Sequence, residues 1–200
     1  MSARLRWTSA DLAALPDDGT RYEIIDGELY VSKAPGWEHQ FTCLQIANAH
    51  HSWSRQSGAG MANIAPGLIF TDDDDVIPDV VWISHARLAA FLGSDRKLHG
   101  APELIVEVLS PGPSNEQRDR EVKLALYSRH AVSEYWILDW QRRTAEVYRH
   151  DGRRLQPAAQ LGAHDTLASP LLPGFSCLVG DLFPPSAPRP VEAEASPGST

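Results

Sequence analysis

The stretch ELIVEVLSPGPSNEQRDREVKLALYSRHAVSEYWILDW, residues 103–140, decides the fold. Its opening run, Glu103 to Leu109, is almost continuously apolar, as in a strand buried on both faces and set inside a sheet. Ser110 to Asn115 (SPGPSN) breaks that run. Ser114 with Gln117 three positions on has capping-box spacing for a helix reaching about Arg129. Glu134 to Trp140 (EYWILDW) then reads as a second buried strand.

Working outward, Arg21 to Ser32 holds two short apolar-rich runs around Asp26-Gly27, the dipeptide that suits a type I′ hairpin. A two-residue loop sets Ile25 opposite Glu28 and Tyr22 opposite Val31. One face is then Tyr22, Ile24, Leu29 and Val31; the other is Glu23, Ile25, Glu28 and Tyr30, expected to turn away from the most apolar side. Trp37 to Trp53 carries a broad apolar helical face. Gly67 to Thr71 and Val76 to Ser84 read as strands joined by a solvated turn, Asp72 to Asp75, with a short helix at His85 to Leu92. Thr144 to Arg149 and Arg153 to Gln156 flank Asp151-Gly152 as a second hairpin. The expectation is an α/β fold: a mixed central sheet flanked by helices, with N-terminal and C-terminal β-hairpins.

A chain of 200 residues with 42% hydrophobic side chains has material for one ordinary core, and a single domain over residues 1–183 is expected. The Pro/Ala/Ser-rich segment from Pro184 to Thr200 reads as a disordered tail. With 18 Lys plus Arg against 26 Asp plus Glu, the net charge of -8 excludes gripping nucleic acid by bulk electrostatics. No stretch approaches the roughly 18 apolar residues of a membrane span, and no secretory pattern opens the chain, so a cytoplasmic protein without a membrane partner is expected. Cys43 and Cys177 read as two reduced thiols, with one bridge as the alternative.

Two acids lie where ionised side chains are costly. Asp79 alternates with Ile77, Val81 and Ile83, and Glu107 alternates with Ile105 and Leu109, so each needs a cation. On the helix that follows, Asp119, Lys123 and Tyr127 share one side, which aims Lys123 at the end of the neighbouring strand. Two carboxylates and a lysine suit phosphodiester hydrolysis: the acids hold a divalent metal, and the lysine serves the nucleophilic water or the developing charge. Plainer readings stand beside this one: Asp79 as a turn cap, Glu107 in a buried ion pair, and Lys123 in an exposed pair with Asp119.

Glu23 and Glu28 are auxiliary metal or substrate candidates that could equally be a solvated hairpin face, and His39 is an auxiliary candidate or a structural histidine. His50 and His51 point apart on their helix, Gly174 to Leu178 lacks the second glycine of a nucleophile elbow, and Asp72 to Asp75 is a turn sooner than a calcium loop. Arg118, Arg120, Lys123 and Arg129 make a thin basic footprint for DNA.

Tyr22-Glu23, Asp26-Gly27-Glu28-Leu29, Pro78-Asp79-Val80, Val106 to Pro111, Asp119 with Lys123 and Tyr127, and Glu134 to Ile137 with Asp139 together resemble the Uma2 family, or DUF820, of the PD-(D/E)XK nuclease-like superfamily. The resemblance runs from about Arg6 to Phe183. It implies a restriction-endonuclease-like core with Asp79 and Glu107 as the motif acids, Mg²⁺ or Mn²⁺ as cofactor and DNA as substrate. The superfamily's usual lysine position, two residues after the glutamate, is Leu109 here, so the lysine role passes to Lys123, as is typical of this family. A homodimer is considered because two strands must be cut, although no residue marks an interface. Two other functions remain open: a nuclease-like fold serving as a nucleic-acid or protein-binding module, and a glycosidase using Asp79 and Glu107, in which Lys123 has no required role.

Overall fold

The computed structural model describes residues 6–16 and 18–185. All but Pro184 and Pro185 of the segment read as a tail lie outside the described residues. After a single helical turn, α1 (Ser9–Leu12), the chain forms β1 (Arg21–Ile25) and β2 (Glu28–Ser32). They pair in the expected register, Ile25 opposite Glu28 through Arg21 opposite Ser32. Asp26 and Gly27 take φ values of 54° and 72°, the left-handed pair a type I′ turn requires. Which face turns inward differs from expectation. Glu23 and Ile25 are buried, whereas Val31 is 59% exposed, because cations from the rest of the molecule meet Glu23 from inside.

The helix α2 (Trp37–Ser57) runs four residues past the expected end and closes at Gly58, whose φ of 64° is the left-handed cap. Then come β3 (Gly60–Ile64), β4 (Leu68–Thr71), β5 (Asp74–Val76) and β6 (Val80–Ser84). β3 gave no sequence signal: its Gly, Met, Ala and Asn have weak strand preference, and its pairing along β6 makes it a strand. The run expected as one strand from Val76 to Ser84 is two, in different sheets. Pro78 has no N–H to give a ladder, and the chain turns there, leaving Asp79 in the connection. The expected acidic turn shrinks to Asp72 and Asp73, while Asp74 and Asp75 are buried in β5 against Arg129, His130 and Lys97.

Ser84 caps α3 (His85–Phe91) by accepting the Arg87 N–H. β7 (Leu104–Val108) leads into α4 (Pro113–Gln117), a six-residue π-helical turn (Arg118–Lys123) and α5 (Leu124–Arg129), one continuous helix. Its N-cap is Gly112 and Pro113 takes the first position, so the capping box expected at Ser114 does not form. There follow β8 (Glu134–Asp139), the hairpin of β9 (Thr144–His150) and β10 (Leu155–Leu161), and a small pair, β11 (Thr166–Ala168) and β12 (Ser176–Leu178).

The large sheet has the order β10-β9-β8-β7-β6-β3 and is mixed: β7 and β8 run parallel, and the other neighbours antiparallel. The small sheet has the order β2-β1-β5-β4. Leu104, Val106 and Val108 face a core with Cys43 and Ile46 of α2 and with Leu172 and Phe175. Ile105 faces the opposite core, built with Ile25, Val76, Leu126 and Tyr127. Alternation therefore sends Glu107 toward the second core, under α5 and the small sheet. No helix among the described residues is long and apolar enough to cross a membrane.

Candidate active site

Six elements meet at one buried point: the Pro78 connection, the end of β7, the π-helical turn, α5, β1 and the start of α2. The Asp79 carboxylate accepts the Val108 N–H on Oδ2 at 2.9 Å and the Arg21 guanidinium on Oδ1 at 3.0 Å, and Oδ2 lies 3.2 Å from His39 Nε2. Glu107 Oε1 accepts from Lys123 Nζ at 2.9 Å and from the Tyr127 hydroxyl at 2.6 Å. Its Oε2 accepts a long bond from the Asp79 N–H at 3.4 Å, which sets the two acids side by side. Glu23 Oε1 accepts the Ile77 N–H at 2.9 Å and lies 3.2 Å from Lys123 Nζ, while Glu23 Oε2 is buried without a partner among the described residues.

Lys123 is 1% exposed, so the exposed pair with Asp119 is not its environment. Asp119 is buried too and pairs with Arg118 at 3.4 Å. With the His39 imidazole neutral and the other groups ionised, the cluster sets Glu23, Asp79, Glu107 and Asp119 against Arg21, Arg118 and Lys123, leaving one negative charge in excess. That charge decides the electrostatics. Burial pushes the Glu107 carboxyl up to about 8, against Lys123 and with the help of Asp79. Burial acts on Asp79 in the same sense, but the His39 hydrogen bond, then Arg21 and Lys123, hold it well below the usual carboxylate range. Burial would lower Lys123; Glu107, Glu23 and Asp119 outweigh it and keep the group an ammonium.

The structure brings Asp79, Glu107, Lys123, Glu23 and His39 together. Glu28 instead flanks the hairpin turn, where it hydrogen-bonds the Tyr30 side chain. Sequence reasoning passed over Arg21, although its place two residues before Glu23 on β1 sets both on one strand face. It also passed over Cys43, one helical turn after His39, whose sulfur lies 3.5 Å from His39 Nδ1. Burial, then Asp79 and Glu107, push that thiol upward, so it is no free nucleophile. Both cysteines are free thiols. Leu109, the position where the resemblance looks for a lysine, is core.

The expected basic footprint is otherwise committed: Arg118 to Asp119 and Ser32, Arg120 to Glu116 and Glu146, Arg129 to Asp26 and Asp74. Beside Arg118 opens a cleft of about 360 Å³ with Lys33 and Asn115 on its walls. His50 lies apart from the cluster, between Trp136 and Phe175 with ring centroids at 5.3 and 4.8 Å, and burial lowers it to about 3.

A family model, Uma2, described as "Putative restriction endonuclease", matches residues 9–180. Comparison with curated proteins gives no match. Among solved structures, the chain is similar to one described as a "putative nuclease belonging to DUF820" from Anabaena variabilis ATCC 29413. The TM-score is 0.71 at 18% identity, covering 88% of this chain and 97% of that one. At that identity the likeness speaks for the fold.

Proposed function

The chain belongs to the Uma2 family, and from that premise and the buried acid cluster we propose a metal-dependent endonuclease acting on DNA in the cytoplasm. In this reading Asp79 and Glu107 hold Mg²⁺ or Mn²⁺ and Lys123 assists the attacking water. The observation that carries it is the excess of buried carboxylate: Glu23 shares Lys123 with Glu107 and Arg21 with Asp79, and its Oε2 has no partner among the described residues. Hard oxygen donors lacking one positive charge fit a divalent cation. When bound, the ion supplies Lewis acidity toward the phosphate and its nucleophile.

The chain's own groups do the rest. Lys123, kept charged by three acids, stabilises negative charge developing on the phosphate and orients the water; an ammonium so held is not a general base. Tyr127 fixes Glu107 by donating to Oε1. Arg21 keeps Asp79 ionised, and the Val108 N–H holds its orientation. The cleft with Lys33 and Arg118 is the approach for the phosphate backbone.

Plasmid and oligonucleotides incubated with Mg²⁺ or Mn²⁺ should be cut, and with EDTA left whole. Absence of cleavage under every metal, or equal cleavage by Asp79→Asn and Glu107→Gln, overturns the reading. Light scattering after size exclusion tests whether the active species is a dimer. The net charge of -8 favours a second reading, a binding module without catalysis. Salt-dependent DNA binding without calorimetric uptake of Mg²⁺ would select it.

A further inference from the structure

His39 and Cys43 stand one turn apart on α2, and their donors converge with a carboxylate oxygen of Asp79, all within 4.8 Å of one another. The three residues are 5%, 2% and 6% exposed, so bulk water does not explain the grouping. His39 Nε2 lies 3.2 Å from Asp79 Oδ2, and Nδ1 lies 3.5 Å from Cys43 Sγ. With Nε2–H donating to the carboxylate, the neutral ring turns its Nδ1 lone pair toward the sulfur. A nitrogen at about 2.0 Å and a sulfur at about 2.3 Å on a tetrahedral metal are about 3.5 Å apart. The His39–Cys43 spacing is that of a chelating pair.

We propose that His39 Nδ1 and Cys43 Sγ form a helical chelate for a borderline-soft divalent transition metal, of the Zn²⁺ or Co²⁺ class, with Asp79 orienting the imidazole. In that tautomer the Cys43 S–H proton lies between sulfur and ring nitrogen. The metal takes its place: the S–H bond breaks, the electron pair stays on sulfur as a thiolate ligand, and the proton leaves to solvent. A carboxylate holding the far side of a ligating histidine is the arrangement that fixes tautomer and ring orientation at metal sites. Imidazole and thiolate select against Mg²⁺, which requires oxygen donors. The chelate rests on the nuclease reading only through the shared Asp79, and it gives this chain a metal position on the α2 side of that acid. Glu107 and Lys123 belong to the other side.

Cobalt alone is the probe. Purified full-length protein titrated with Co²⁺ should develop the near-ultraviolet thiolate-to-cobalt charge-transfer absorption together with tetrahedral d–d bands, and excess Mg²⁺ should leave both in place. Cys43→Ser and His39→Ala should lose the charge-transfer band with far-ultraviolet circular dichroism unchanged, and Cys177→Ser should keep it. Glu107→Gln should also keep it while losing Mg²⁺-dependent cleavage, so failure of the chelate and failure of the nuclease reading are told apart. No charge-transfer band in the parent protein at saturating Co²⁺, or a band that survives Cys43→Ser, or one lost only in Cys177→Ser, overturns the proposal. Because the parent spectrum alone can refute it, a variant that fails to fold does not protect it.

Discussion

Asp74 and Asp79 are five residues apart, both buried at 4% and 6% exposure, and they do opposite things. Around Asp74 every demand is met. Oδ1 accepts the Asp26 N–H and Arg129, both at 2.9 Å, and Oδ2 accepts from Arg129 at 3.1 Å and meets His130 Nε2 at 3.0 Å. That carboxylate ties the hairpin turn to the end of α5 and holds the small sheet in place. Asp79 has donors too, but it shares Arg21 with Glu23, Lys123 is divided between Glu107 and Glu23, and one Glu23 oxygen is left over. A buried acid is thus no sign of a site by itself; an excess of buried acid over cation is.

The comparison breaks first on function. Asp79→Asn or Glu107→Gln should lower metal-dependent DNA cleavage by about a thousandfold or more, since several kcal/mol of Lewis-acid stabilisation goes with the metal. Asp74→Asn should leave the rate per folded molecule within a small factor, and a gel assay on plasmid reads both. A comparable loss in Asp74→Asn would erase the distinction. Lys123→Met comes next. Far from being the cheap loss of an exposed helix pair, it strands buried acids and should cost about 3–5 kcal/mol in urea denaturation as well as abolishing cleavage.

Asp74→Asn should cost about 2–3 kcal/mol through its charged hydrogen bonds, while Glu107→Gln without metal should change stability by less than about 1 kcal/mol or raise it. Equal losses in the two would mean that both clusters are structural. The last effect is absent at neutral pH and concerns the opposite core. His50 titrates at about 3 in the fold against 6.5 unfolded, so the unfolded chain binds its proton first. Stability from this group is complete above about pH 6.5 and is lost toward pH 3 at about 1.4 kcal/mol per unit. His50→Leu should flatten that slope in urea melts taken across the range.

Much of this was legible because short-range chemistry wrote it. Asp26-Gly27 dictates its turn, and the apolar run around Glu107 dictates a buried strand on which an acid stands out. What was illegible depends on tertiary partners. β3 exists by pairing along β6, and Asp74 and Asp75 look like a solvated turn until Arg129, His130 and Lys97 arrive from distant parts of the chain. The inward turn of Glu23 required knowing where Lys123 lay. Lys123 itself could be placed on the correct helix side by four-residue spacing, but its burial could not, because that depends on the small sheet closing over it.

The π-helical turn from Arg118 to Lys123 gives chain length a role of its own. A π turn holds more residues than an α turn. Six residues at this wider winding turn the chain about as far as five α-helical ones, so the extra residue is absorbed and α4 and α5 keep their phase. A deletion within α5 ahead of Tyr127, where no wide turn absorbs it, would swing Tyr127 by about 100° relative to Lys123, and the two would no longer grip the same oxygen of Glu107. The site therefore has a reading frame, kept by spacing as much as by identity. Equivalent lysines in relatives should be sought by where their ammonium arrives, since a column of aligned letters can slip by one residue where the helix does not.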